Sequence, residues 1–506
     1  MAMRVRLTIF ILCLLGVTGF NLHAQGGLRP RGDVNCDWST DINDLTALID
    51  SVMKGVEYDQ LYTYAIDIND DHAIDIQDIT MLIDGLQNGD LPPMPTFSGT
   101  LPVLYINTSN HLNIVSKEEY LQADWWLDAM GIDGYTSIGS SSNPLGMQIK
   151  GHGNYTWIVF PEKPYRIKLD SKQPLMGMKS NKHFCLLPHA DDLYAKLKNT
   201  MGFELSRRIG LSYTPAQAPV EVVLNGQYIG LYFLTEKIRV DKNRVNIEEQ
   251  DDGETNPDKV TGGWLIEIDN YFEDNTIKIK ERDGGNWYDW LWITPHSPEN
   301  LSSQQQSYIK QFIEKANAAI YTPNKLNTEW EKYIDIDSLA CFYIVAEIID
   351  NLECFYGSCY MHKHKGDSTK LIFGPVWDMG QSFERINLTD ATSFHYFIYQ
   401  DEYFHSHWIK EIAKFPHFQR VVNSHWQEFY ASGFNGLDID KMIDDHVAAI
   451  RSAWSCHAVR WRYWDWLNID YAAAQYKSYI HSKIDWLQSQ WGFDPSVGPP
   501  GDGTHR

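Results

Sequence analysis

Apolar residues recur along this chain with several different periods, and each period predicts a different element. Leu7 to Val17 is an unbroken apolar stretch behind Arg4 and Arg6, and Leu22-His23-Ala24 follows it. That order of basic, apolar and small residues predicts a secretory signal peptide over 1–24; the stretch falls short of the roughly 20 apolar residues of a membrane span. Leu45, Leu48 and Ile49, and then Ile79, Leu82 and Ile83, are spaced as one face of a helix, and a glycine (Gly55, Gly89) stands near the end of each pattern. The Pro-rich stretch 91–100 reads as an extended linker.

Beyond it the period changes repeatedly. Strict alternation predicts strands over 101–106, 147–151 and 163–169, and in the last of these Tyr165 and Ile167 share one face while Arg166 and Lys168 share the other. Residues 220–236 read as two strands joined at Asn225-Gly226, a strong hairpin signal. Further strands are expected over 262–269 and 371–377, and helices over 117–130, 190–209, 334–351, 437–454 and 471–491. Strands followed by helices, with a small helical unit in front, predict an α+β protein. The C-terminal tryptophans, among them Trp408, Trp426, Trp454 and Trp491, sit in helical patterns and are expected to fill a core, and 492–506 reads as a tail.

Charge and cysteine use narrow the function classes. A net charge of −23 excludes a nucleic-acid partner, since phosphate backbones recruit a surplus of Lys and Arg. No later stretch is long and apolar enough to span a membrane, so the expected location is secreted, periplasmic or cell-surface. Six cysteines remain after residue 24; Cys354 and Cys359 are spaced to pair across a turn, or equally to stay as buried thiols.

The first chemical signal is a repeat. Asp33, Asn35, Asp37, Asp41 and Asp44 place oxygen ligands at positions 1, 3, 5, 9 and 12 of a loop, and Asp67, Asn69, Asp71, Asp75 and Asp78 repeat the pattern 34 residues later. Alternating oxygen donors closed by a carboxylate at the helix start suit Ca2+, a hard cation that takes six to eight oxygens. Residues 30–90 resemble a type I dockerin-like module, which implies two calcium-loaded loop–helix pairs that dock a cohesin-like partner. Trp38 and His72 occupy position 6 of the loops, where glycine normally makes the sharp turn.

The second signal lies in the large region. Lys150-Gly151-His-Gly153-Asn154 joins two strands, Arg166 and Lys168 follow on one face, Glu204 lies on the next helix, and Glu236 stands where the hairpin ends. Two acids, Asp350 and Asp378, then sit 28 residues apart, each where a regular element ends, an arrangement that phosphoryl transfer uses to orient a hydroxyl and hold magnesium. Asp378-Met379-Gly380 reads as a variant of the Asp-Phe-Gly triplet. The segments at 149–157, 163–169, 224–232 and 374–380 together resemble the CotH family, whose members are atypical kinases that use ATP and magnesium to phosphorylate Ser or Thr.

That resemblance implies a two-lobed kinase-like domain over 101–491 acting on an exported protein. It implies Lys168 as the phosphate-contacting lysine, with Arg166 or Lys150 in reserve, Glu204 as its ion-pair partner, and Gly151 and Gly153 in the turn over the phosphates. It further implies Asp350 as the acid/base, Asp378 as the magnesium ligand, and Asn351 in place of the asparagine that Phe355 displaces. Two other readings compete. One is an inactive kinase-fold scaffold in a surface complex handling polysaccharide; the other is a glycoside hydrolase using two of Asp350, Asp378, Glu236 and Glu267.

Overall fold

The computed structural model describes residues 31–35, 40–54, 66–69, 73–89, 91, 97–384, 391–432, 436–461 and 468–492. The expected signal peptide, Gly55, the loop residues Asp37, Trp38, Asp71 and His72, and all of the tail after residue 492 lie outside them. The chain divides into two units, 1–94 and 95–506.

In the first unit, α1 (Ile42–Lys54) and α2 (Ile76–Asn88) close over Leu48, Ile66, Ile68, Ile79 and Leu82. Asp75 caps α2 by accepting from the Gln77 amide at 2.7 Å, and Gly89 ends it at φ 71°, the left-handed conformation that glycine adopts without strain. The two loops are built alike. Asp44 accepts from the amides of Val34 (2.8 Å), Asn35 (2.9 Å) and Asp41 (2.8 Å); Asp78 accepts from those of Ile68 (2.6 Å), Asn69 (3.4 Å) and Asp75 (2.9 Å). The twelfth-position carboxylate thus ties down the second, third and ninth residues of each loop. Among the described residues, no set of three or more His, Cys, Asp or Glu side chains stands ready to hold a metal.

The second unit begins with seven strands in a closed barrel: β1 (Val103–Thr108), β2 (Leu121–Asp128), β3 (Leu145–Gly151), β4 (Tyr165–Gln173), β5 (Asn181–Leu187), β6 (Gln217–Leu224) and β7 (Gln227–Glu236). Neighbours are antiparallel except β1 and β6, whose parallel pairing closes the ring. Every second residue points inward, so Leu104, Trp125, Ile149, Ile167, Phe184, Val222 and Tyr232 fill the interior. Asn225 (φ 52°) and Gly226 (φ 78°) make the tight turn between β6 and β7. The helix expected over 117–130 is instead β2. Its Gln, Ala and Leu residues are good helix formers, but burying Ala123, Trp125 and Leu127 on one side with Gln122 and Asp124 outside requires a two-residue period. A five-residue helix, α3 (Tyr155–Val159), connects β3 to β4.

The expected helix over 190–209 begins only at Leu197, as α4 (Leu197–Ile209). Asp192 accepts from the amides of Tyr194 (2.8 Å) and Lys198 (2.9 Å), and Ala195 and Lys196 take positive φ, so the segment before the helix is a turn built on one aspartate.

A second, all-antiparallel sheet follows in the order β12-β11-β8-β10-β9, from β8 (Trp264–Ile268), β9 (Ile277–Lys280), β10 (Trp290–Ser297), β11 (Cys359–Lys363) and β12 (Leu371–Phe373). Between β10 and β11 lie α5 (Ser303–Ile320) and α6 (Ile336–Ile348); α6 is apolar on nearly every face and runs through the core. A four-residue α7 (Ile409–Ile412) is followed by α8 (Pro416–Ala431), α9 (Gly436–Trp461) and α10 (Ile469–Trp491). Trp408, Trp426, Trp454 and Trp491 are all buried, the last three in helices as expected and Trp408 just before α7 at φ 53°. Cys354 and Cys359 are both buried free thiols. No described helix is long and apolar enough to cross a membrane.

Candidate active site

The chain leaving β12 delivers Asp378-Met379-Gly380. Met379 is buried, and its amide donates to Asn199 Oδ1 on α4 (3.2 Å); the Gly380 amide donates to the Asp378 carboxylate (3.4 Å). Lys198, fully buried at the start of α4, donates to the Gly380 carbonyl at 2.7 Å and pairs with Glu384. Asn351 Nδ2 donates to the Asp378 carbonyl at 3.3 Å. The Asp378 turn is therefore held from three sides. A Cβ on Gly380 would stand 2.7 Å from Asp191 Oδ2 and 3.3 Å from Asp378 Oδ1, so glycine keeps open the space between those two carboxylates.

Glu353 completes the group. It lies in the loop between α6 and β11, where its Oε1 accepts from Asn270 Nδ2 at 2.7 Å. Burial, and then the charge of Asp378, raises the Glu353 carboxyl well above the usual range; burial and Asp191 do the same to Asp378. Asp269, just after β8, is pushed up to about 7 by burial and by Glu267. Glu267 itself is raised to about 7 by burial and lies 2.6 Å from His296 Nε2. His296 is lowered to about 4 by burial and by Lys237. Carboxylates raised by burial and by one another in this way make this group the candidate functional site.

Cations gather on the barrel, and one of them reaches the acids through Glu267. Lys150 and Arg166 are register partners on the outer face of β3 and β4, and Arg166 Nε is buried with no hydrogen-bond partner among the described residues. Lys237, just past β7, is lowered to about 8 by burial and then by Arg166, and it acts in turn on Glu267. Lys168 shares the face of Arg166 but is exposed.

Several residues expected from the sequence serve other ends. Asp350 is fully buried and paired with Lys483 at 3.0 Å, in one cluster with Glu347, so packing takes it away from the cleft. Glu204 faces Arg207 (3.1 Å) and Arg208 (3.0 Å) on its own helix, and no ion pair joins it to Lys168 among the described residues. Glu236 is buried and accepts from the Tyr213 hydroxyl (3.0 Å) and the Ala216 amide (3.2 Å), bracing the chain where it leaves the barrel. Gly151 lets the Trp157 ring come to within 2.6 Å of where a Cβ would be, and Gly153 turns the chain at φ 71°. Sequence reasoning missed Glu353, Asp191, Asp269 and Lys237. Glu353 did leave a sign, as a lone acid between Leu352 and Cys354-Phe355 in an apolar run.

The residues present fit a magnesium nucleotide. Mg2+ is usually held by one or two carboxylates together with phosphate oxygens, and the gap kept by Gly380 puts two hard oxygen donors on one space. A phosphate would satisfy the orphaned Arg166 Nε–H in the charge-assisted geometry that guanidinium favours. No curated protein matches the chain. The family model described as CotH kinase protein matches residues 149–487, from β3 into α10, and includes the cationic strands, Glu353 and Asp378; on that match, and with this cleft, the chain belongs to the CotH family.

Proposed function

We propose that the second unit transfers the γ-phosphoryl group of ATP to a hydroxyl group, with the barrel and the sheet-and-helix region acting as the two lobes of a kinase-like enzyme. The observation that carries this reading is the close approach of Asp191 and Asp378 across Gly380; the barrel's Arg166, whose Nε is buried without a hydrogen-bond partner among the described residues, supports it. Asp378 and Asp191 would hold the magnesium ion, which when bound neutralises phosphate charge. Arg166 and Lys150, with Lys237 behind them, hold the phosphates, and Lys168 adds charge at the outer edge. Glu353 accepts the proton of the attacking hydroxyl, the role that the sequence pattern suggested for Asp350. Asn270 positions Glu353, and Asn351 and Lys198 fix the backbone of the Asp378 turn.

Calorimetric titration of the full chain with ATP and Mg2+ tests the reading. Binding is expected for the parent and for Glu353→Gln, whereas Asp378→Ala abolishes it. Absence of binding by the parent refutes it and leaves the inactive scaffold. One observation favours that alternative: Phe355 is packed between Phe342 (5.5 Å) and Phe373 (6.2 Å), so no amide stands at that position.

The same proposal puts the mature chain outside the cytoplasm and phosphorylation on an exported acceptor. Ca2+ is held in the first unit by Asp33, Asn35, Asp37, Asp41 and Asp44 and by their repeats Asp67 to Asp78, and a cohesin-like surface protein is the docking partner. Calcium titration of the full chain, with two sites expected, checks the metal; silence in that titration removes it.

A further inference from the structure

Where the chain after β9 meets the segment before α7, the second unit holds a cavity of about 270 Å3 whose lining includes Arg282, Ser406 and Lys410. Ser406 is 3% exposed, and its Oγ has no hydrogen-bond partner among the described residues. Arg282 Nε is likewise buried without one; Asp289 stands 3.7 Å from it, too far for a hydrogen bond, while Nη2 donates to the Tyr288 carbonyl at 3.0 Å. Two buried donors left unpaired in one cavity are costly unless a ligand satisfies them. The neighbouring acids are engaged elsewhere. Glu281 accepts from His407 (2.5 Å), the Trp408 amide (2.9 Å) and the Tyr321 hydroxyl (2.8 Å). Asp401, also in the wall, accepts from the amides of Tyr403 (2.9 Å) and Phe404 (3.2 Å) and from the Tyr396 hydroxyl (3.4 Å), and Glu402 is exposed to solvent.

The segment that carries Ser406 is tied to the loop of Glu353. The His407 amide donates to the Phe355 carbonyl at 2.8 Å, and the rings of Phe404 and His407 lie 6.0 and 6.2 Å from that of Tyr356. The amides of Tyr356 and Gly357 donate in turn to the Glu353 carbonyl at 2.7 and 2.9 Å. His405, beside Ser406, is held at φ 51° with its ring stacked 4.0 Å from that of Tyr288. Backbone strain of this kind is kept where the surroundings fix a segment for a task.

We propose that this cavity is an effector site for a small oxyanion, a carboxylate or a phosphate, held by the Arg282 Nε–H, the Ser406 hydroxyl and the Lys410 ammonium, and that its occupancy steadies the loop of Glu353. Guanidinium and ammonium groups donate and never accept, so the ligand must bring acceptor oxygens, and a charged oxygen makes the stronger, charge-assisted bond. Pockets for drug-sized molecules run from about 300 to 1,000 Å3, so this one takes a single small molecule. The site stands apart from the kinase reading; only the meaning of its link to Glu353 rests on that reading.

Calorimetric titration of the full chain, without nucleotide, against D-glucuronate and against inorganic phosphate tests the site, and the probe that binds tells carboxylate from phosphate. Binding of at least one is expected with a Kd below about 1 mM. Ser406→Ala and Lys410→Gln should each weaken it about tenfold. Ser406→Ala removes only an unpaired hydroxyl, so its urea midpoint should equal or exceed that of the parent, which separates lost binding from lost folding. At saturating ligand, hydrogen exchange of the His407, Tyr356 and Gly357 amides should slow. Failure of both probes to bind overturns the site. Binding that survives Ser406→Ala and Lys410→Gln but is lost in Arg166→Gln belongs to the barrel and overturns the assignment. Unchanged exchange at Tyr356 and Gly357 overturns the link to Glu353. Absence of ATP binding in the separate Mg–ATP titration removes the kinase reading and leaves this site standing.

Discussion

Replacing Lys483 with methionine separates a structural acid from a chemical one. Lys483 Nζ lies 3.0 Å from Asp350 and 3.1 Å from Glu347, and it donates to the carbonyls of Phe394 (3.1 Å) and Tyr396 (2.7 Å); all three charged side chains are fully buried. Methionine keeps most of the volume and removes the charge, so two carboxylates remain buried without their cation. Breaking a buried pair from one side costs about 3–5 kcal/mol, because desolvation of the remaining charge is no longer offset. Burial already raises the Glu347 pKa even with Lys483 in place. A carboxyl raised in the folded state binds protons there that the unfolded chain has released, so stability falls as pH rises above the ordinary glutamate pKa of about 4.5. The deficit of Lys483→Met should therefore be larger at pH 8 than at pH 5. Urea unfolding at the two pH values reads both quantities. Adding Glu347→Gln and Asp350→Asn to Lys483→Met should recover part of the loss. A deficit below about 1 kcal/mol, or one that shrinks with rising pH, refutes the account of Asp350 as a member of a buried ion cluster.

Gly380→Ala should weaken Mg–ATP binding at least tenfold while shifting the unfolding midpoint little, since its Cβ would enter the space between Asp191 and Asp378; titration calorimetry beside urea unfolding checks both. Gly230→Ala should destabilise the second unit by about 2–4 kcal/mol in urea, because residue 230 sits at φ 107° and the added Cβ would lie 2.5 Å from Nδ1 of fully buried His457. Asp78→Ala leaves the amides of Ile68, Asn69 and Asp75 without their acceptor and should cost the first unit about 2–3 kcal/mol, read as a lowered calorimetric transition of that unit in the full chain.

How far the sequence discloses this molecule depends on whether a feature is local. Barrel strands such as β4 and the β6–β7 hairpin are local, since alternation of Tyr165 and Ile167 with Arg166 and Lys168, or Asn225-Gly226 between apolar runs, needs no distant partner. β2 misled because its residues favour a helix by themselves, and only neighbouring β1 and β3 make Trp125 an inward residue. As a candidate, Asp378 was visible for the same local reason as β4: an acid straight after an apolar strand has no packing role. The identity of the second acid was not. Asp350 and Glu353 stand three residues apart beyond the end of one helix, and periodicity does not rank them.

What ranks them is far away in the chain. Lys483, in the last helix, pairs with Asp350 in the core, whereas Asn270, after β8, holds Glu353 where Asp378 acts on it. The cations follow the same logic. Alternation puts Arg166 and Lys168 on one face, but that Arg166 is the one to act on Lys237 depends on how the barrel closes and where the chain leaves it. The residues of a cleft between two packed regions are therefore chosen by contacts that a linear reading does not contain. The surest sequence mark such a residue leaves is a charge that its local surroundings give no reason to keep, as with Glu353 between Leu352 and Cys354.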